Sequence, residues 1–292
     1  MDFVQIATKY RKVVEEELAK LFTPDGIITD AGIPADLAEP LKYSFMTGGK
    51  RLRPVLCLAA CQAVSGKFDK AVPAALAIEA LHTYTLIHDD LPCMDNDLLR
   101  RGRPTVHAKY GYAQGVLAGD ALQAVAFALA LKTPGDAEAV RAVTTELARA
   151  AGPAGVIGGQ WVDVCSMPPH DRARIEYVHE HKTSDLIQCA LVMGAGAAGA
   201  SDSQIKAFRE FGRNLGIAFQ IVDDILDADD PAKADEMGIM LIMDKCAARC
   251  LASEYTAKAL AGLDAFATDD NDKNEALSVL RSLVEGQVSR KI

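Results

Sequence analysis

Apolar residues recur along the chain at helical spacing. Stretches near 2–22, 35–45, 51–64, 70–90, 108–132, 135–150, 171–198, 201–227, 241–262 and 273–290 are rich in Ala, Leu, Glu, Lys, Arg and Gln, which favour helix. Breakers divide them: Pro24–Gly26, Gly48–Gly49, Pro92, Gly102–Pro104, Pro134–Gly135, Pro168–Pro169 and Pro231. No run of β-branched residues alternates with polar ones, so no sheet is expected. No solenoid-length repeat and no long linker interrupts the pattern. It predicts one all-α domain over residues 1–292, a single-domain bundle of about ten helices or more. Segments 76–88, 190–200 and 215–226 are apolar nearly all round and belong at its centre.

Polar residues on such helices must be paired or put to use, because burying them alone is costly. The segment HTYTLIHDDLPCMDNDLLRRGRP closes one of these helices with Asp89 and Asp90, followed by Asp95 and Asp97. Negative charge at a helix C-terminus opposes the macrodipole, so a solvated loop explains Arg100, Arg101 and Arg103 but not the aspartates. Crowded carboxylates suit Mg²⁺ completed by phosphate oxygens. Pro92 ends the regular helix near Leu91, so Asp95 must reach back through an irregular turn to share a site with Asp89. His82 lies two turns before Asp89, on the same face. In FQIVDDILDADD, Gln220, Asp223, Asp224 and Asp227 form one polar stripe on an otherwise apolar helix. GGKRLRP offers Lys50, Arg51 and Arg53 beside two glycines, as phosphate ligands. Lys182 and Thr183 in HEHKTSD, and Gln160 with Asp163 in IGGQWVDV, are weaker candidates. The set implies two phosphate grips. One is direct, through Lys50, Arg53, His82 and Arg101; the other runs through cations on Asp89, Asp90, Asp95 and Asp223, helped by Arg100 and Lys182. Apolar helices between them imply an oily pocket, which suits two diphosphate esters with hydrocarbon tails.

The chain has 292 residues, a formal net charge of -9 and a pI of about 5.2. An acidic chain argues against nucleic acid as a partner and leaves anion binding to local clusters. No apolar stretch is read as long enough to span a membrane, and MDFVQIATKYRKVVEEEL lacks a signal peptide's apolar centre, so the cytosol is expected. Seven cysteines include two pairs at i and i+4, Cys57/Cys61 and Cys246/Cys250. They read as small buried residues rather than zinc ligands.

GGKRLRP, HTYTLIHDDLPCMDNDLLRRGRPTVH, LAGDAL, GGQ, HKT and FQIVDDILD occur in an order that resembles the trans-isoprenyl diphosphate synthases, the short-chain polyprenyl synthetases. The resemblance implies a homodimer of isoprenoid synthase-like bundles around a central apolar cavity. It implies three Mg²⁺ ions on Asp89, Asp90, Asp95 and Asp223, and in part on Asp224 and Asp227, binding an allylic diphosphate with Arg100, Lys182, Thr183 and Gln220. Isopentenyl diphosphate would sit on Lys50, Arg53, His82 and Arg101. Loss of diphosphate would give an allylic cation, which the isopentenyl double bond attacks. Tyr84, five residues before Asp89, would act as a floor favouring a short product, farnesyl or alternatively geranyl diphosphate, whereas LPCMDND looks like plastid geranylgeranyl synthases. After Asp230 the family's Lys-x-Thr-Tyr-Pro is missing; Lys233 or Lys245 would have to substitute. That departure keeps a non-catalytic partner subunit in play. Two Glu-x-x-His motifs, Glu79/His82 and Glu176/His179, keep a di-iron bundle in play. A terpene cyclase is opposed by the intact second aspartate cluster.

Overall fold

The computed structural model describes residues 3–28, 32–165, 171–229 and 238–288. These residues are helical nearly throughout. The helices are α1 (Phe3–Lys20), α2 (Ala35–Phe45), α3 (Leu52–Ser65), α4 (Val72–Asp89), α5 (Val106–Tyr110), α6 (Tyr112–Ala130), α7 (Ala137–Ala151), α8 (Val156–Cys165), α9 (Arg172–Val178), α10 (Asp185–Ala197), α11 (Asp202–Asp227), α12 (Lys245–Gly262) and α13 (Asn271–Val288). Of the three segments expected at the centre, α4 and the second half of α11 are largely buried, and α10 is buried at every position. Helix α3 is a fourth central element, buried from Pro54 to Ala63, and the sequence pattern did not single it out.

Small residues let these helices touch. A Cβ at Gly194 of α10 would lie 2.0 Å from the Cys57 carbonyl oxygen of α3, and one at Gly119 of α6 would lie 2.1 Å from His88 of α4. Arg51 ties the centre to the periphery. Its guanidinium donates to Glu15 of α1 at 2.8 Å, to Glu79 of α4 at 2.7 Å and to the Phe45 carbonyl of α2 at 2.8 Å. Arg51 is therefore consumed by structure and is not free to hold phosphate.

Four expectations change. The 108–132 helix breaks at Gly111, whose φ of +115 favours glycine. IGGQWVDV forms a helix of its own, α8. A short antiparallel hairpin pairs β1 (Leu99–Arg100) with β2 (Arg103–Pro104). Positive φ at Arg101 and Gly102 gives it the turn that matches strand twist. Finally, α6 does reach the length and composition of a membrane span. Its inner positions, Ala118, Gly119, Leu122 and Ala126, are buried, while Tyr112, Leu117 and Asp120 face outward. Cys57 and Cys61 are buried as expected, and burial pushes the Cys57 thiol up; Cys246 and Cys250 are exposed instead.

Candidate active site

Asp89 and Asp90 are neighbours in sequence but turn to different sides, because consecutive helical residues are about 100° apart. Asp89 lines a cavity of about 600 Å³ whose other walls include Arg53, His82, Tyr84, Gln160 and Lys182. Asp90 faces the hairpin, where Arg100 donates to it at 2.5 Å. Arg100 also holds Asp97 at 3.2 Å. The helix end is thus partly compensated by Arg100. Burial pushes both carboxyls up to about 6, against the pull of Lys182 on Asp89 and of Arg100 on Asp90. The turn after Pro92 brings Asp95 back: its N–H donates to the Asp89 carbonyl at 2.9 Å. Burial raises the Asp95 carboxyl, which stands close enough to Lys182 and Asp163 to feel their charges.

Lys182 and Thr183 sit in a π-helical turn, His179–Ser184, between α9 and α10. Such turns widen a helix by one residue and recur at functional sites. Glycines allow neighbours to press on it from two sides. A Cβ at Gly159 of α8 would lie 2.3 Å from the Lys182 nitrogen, and one at Gly216 of α11 would lie 2.5 Å from Ser184. The second glycine of GGQ is therefore a packing requirement. Below the turn, buried Asp185 holds His181 at 2.8 Å and Arg149 at 2.9 Å. The Lys182 ammonium bonds Asp163 at 2.5 Å. Burial works against its charge, but Asp163 and Asp89 outweigh that and hold it above the ordinary lysine range. Asp163, a weak candidate by sequence, is thus a direct partner of Lys182.

The basic side of the cavity is built differently. Arg53 lies 3.1 Å from the His82 ring, and its Nε is buried with no hydrogen-bond partner. Burial lowers its guanidinium to about 10 and, together with Arg53, holds His82 well below the usual histidine range. A guanidinium N–H without a partner beside a neutral imidazole is chemically suited to an anion. Arg101 bonds the Gly48 carbonyl, and a Cβ at Gly49 would strike its guanidinium at 2.4 Å. The carbonyl of Gly48 and the bare Cα of Gly49, with φ of +83 and +127, therefore seat Arg101. Lys50 is exposed and does not line the cavity.

On α11, Gln220 accepts from Thr183 at 2.7 Å and donates to Asp224 at 2.9 Å, which fixes the polar stripe to the π-turn. Asp223 and Asp227 are half-buried along the same stripe. Lys245 pairs with Asp229 at 2.7 Å, and Lys233 lies outside the described residues. The apolar wall of the cavity comes from Tyr84, Leu86, Val156, Ile157, Trp161 and Leu186. Tyr84 stacks edge-on to His88 with ring centroids 4.9 Å apart. Trp161 and Ile157 were missed by sequence, since nothing in IGGQWVDV says which side of α8 meets the cavity.

Among the described residues, no three His, Cys, Asp or Glu side chains converge tightly enough to enclose a metal ion alone. Carboxylates that are buried, raised and short of cations still fit Mg²⁺, which keeps waters and takes phosphate oxygens. The di-iron arrangement finds no support: among the described residues no three such side chains converge, and Glu79 is bound to Arg51, His82 to Arg53 and Glu176 to Arg172.

Comparison with known proteins agrees with this architecture. The polyprenyl synthetase family model matches residues 34–250, and the chain belongs to that family. It is 48% identical over 198 residues to the chloroplastic geranylgeranyl pyrophosphate synthase of Catharanthus roseus, covering 66% of this chain and 56% of that one. It is 47% identical over 223 residues to the large subunit 1 of the heterodimeric geranylgeranyl pyrophosphate synthase of Arabidopsis thaliana, covering 73% and 60%. The chain therefore spans under two thirds of the length of these relatives. Its fold matches an FPP/GFPP synthase from Zymomonas mobilis with a TM-score of 0.84 and 33% identity, over 97% of this chain and 100% of that one. It also matches a Helicobacter pylori geranyltransferase complexed with magnesium and isoprenyl diphosphate, with a TM-score of 0.82 and 30% identity, over 98% and 97%.

Proposed function

We propose that the chain is a prenyltransferase that joins isopentenyl diphosphate to an allylic diphosphate. The observation that carries this reading is one apolar cavity of about 600 Å³ lined by Arg53, whose Nε has no hydrogen-bond partner, and by Asp89 and Lys182. Isopentenyl diphosphate would bind Arg53, His82 and Arg101, with Lys50 reaching in from the surface. The allylic diphosphate would bind beside Asp89, Asp90, Asp95, Asp223 and Asp227, with Arg100, Lys182, Thr183 and Gln220. Those aspartates would hold Mg²⁺, expected to number three, which would neutralise the leaving diphosphate. The chain's own work is to align the isopentenyl double bond with the allylic carbon and to keep water from the cation. Leu86, Ile157 and Leu186 serve that exclusion.

Product length is read from the relatives. Tyr84 as a floor favoured farnesyl diphosphate, but two plant relatives near half identity bear the name of geranylgeranyl synthases. Tyr84 is one wall of a cavity that α8 also lines, and geranylgeranyl diphosphate is the proposed product. Purified protein with Mg²⁺ and isopentenyl diphosphate, offered dimethylallyl, geranyl and farnesyl diphosphate in turn, tests this by chromatography. A product that stops at farnesyl restores the shorter reading.

A second reading, a non-catalytic partner subunit, is favoured by the missing lysine motif after Asp230 and by a relative named as a heterodimeric subunit. No product from the chain alone, with activity restored in a synthase mixture, would establish it. Exposed Tyr112 and Leu117 on α6 support a homodimer, which sedimentation would test. The chloroplastic names of the plant relatives support a plastid rather than the cytosol, and a fluorescent fusion of the full protein separates the two.

A further inference from the structure

Both carboxylate oxygens of Asp224 are held by contacts within the protein's own fold. Its Oδ1 accepts from Gln220 Nε2 at 2.9 Å, and its Oδ2 accepts from the Ile239 backbone N–H at 2.7 Å. Buried His179 stands 3.0 Å from Oδ2. Gly238 lies over the carboxylate so closely that a Cβ there would come 2.9 Å from Oδ2 and 3.5 Å from Oδ1. Ile239 follows, buried against Ile217, Ile221 and Ile225. This is the chain's return after Asp230, in the stretch where the sequence departs from the family's pattern.

We propose that Asp224 is a positioning residue and not a metal ligand. It anchors the returning backbone at Ile239 and passes that anchor through Gln220 to Thr183, beside Lys182. The hydrogen bonds run without a gap from Ile239 N–H to Asp224, Gln220 and Thr183 at 2.7, 2.9 and 2.7 Å. Each oxygen is engaged by a donor of this chain of hydrogen bonds, and Gly238 lies directly over the carboxylate. The role of the Lys182–Thr183 turn in holding the allylic diphosphate rests on the proposed function; the anchoring does not.

Asp224→Ala separates the two roles. It removes both acceptor oxygens, so Ile239 and Gln220 each lose their partner. In the ligand-free protein, the Ile239 amide should exchange with deuterium about tenfold faster than in wild type, while amides of α10 keep their protection. In turnover, KM for the allylic diphosphate should rise about tenfold, as for loss of one hydrogen bond to a charged group, with the magnesium half-saturation within about twofold. Asp223→Asn, on the same stripe, should instead raise the magnesium half-saturation. Gly238→Ala keeps every charge yet displaces the returning backbone, and should reproduce the exchange and KM effects. Unchanged Ile239 exchange overturns the anchor. A magnesium half-saturation that rises as far as in Asp223→Asn, or an allylic KM that does not move, overturns the positioning role. If wild type shows no turnover, the proposed function fails by itself, and the exchange experiment still decides whether Asp224 anchors the chain.

Discussion

Asp89→Asn should make this protein more stable while removing its activity. Burial holds the Asp89 carboxyl at about 6 instead of the ordinary 3.8. At neutral pH the folded chain therefore carries an ionised group it would rather keep protonated, and the difference corresponds to about 3 kcal/mol. Asn has the shape of the neutral acid without the charge. Because the folded value is raised, the cost is absent below about pH 4, grows between pH 4 and 6, and is full above 6. Thermal unfolding of ligand-free protein at pH 7.5 should show the variant about 5 °C or more above wild type, given about 2 °C per kcal/mol for a chain of this size. At pH 4.5 the gap should shrink to about a third of that. Diphosphate with Mg²⁺ should then stabilise wild type and not the variant, and prenyl transfer by the variant should be undetectable. A variant no more stable than wild type at pH 7.5, or one with near-normal turnover, would refute the view of Asp89 as a strained, cation-seeking carboxylate.

Other substitutions probe the remaining walls. Tyr84→Ala should shift products by at least about one isoprene unit, because the ring lines the cavity; chromatography showing an unchanged distribution would remove Tyr84 as a limit on chain length. Arg53→Gln should raise KM for isopentenyl diphosphate by about tenfold or more, through loss of charge-assisted hydrogen bonds, with little change for the allylic partner; steady-state kinetics with each substrate varied would show an equal rise in both if the assignment is wrong. Gly194→Ala, far from the chemistry, should cost about 3 kcal/mol or more in denaturant unfolding, since its Cβ would lie 2.0 Å from a backbone oxygen of α3; a neutral result would mean that α3 and α10 can separate freely.

Residue spacing alone determined that this chain is helical, that Asp89 and the Gln220–Asp227 stripe lie on apolar helices, and that basic residues must supply a separate anion grip. Those are properties of a periodic backbone, and period survives in sequence. The return of Asp95 to Asp89 was also legible, because Pro92 forces a turn whose length the sequence fixes. What the sequence could not decide is the direction and partnership of each side chain. Arg51 and Arg53 are two residues apart in one motif, yet one is locked between Glu15 and Glu79 while the other is left with an orphaned N–H. Asp89 and Asp90 are adjacent, yet one faces the cavity and the other faces Arg100. The glycines of GGKRLRP read as room for a ligand, and in the fold Gly49 leaves room for Arg101. Each of these outcomes depends on which distant segment packs nearby, and only the tertiary fold sets that. Hydrophobic burial fixes the helices by pattern, whereas a charge takes its role from whatever the finished packing brings within reach.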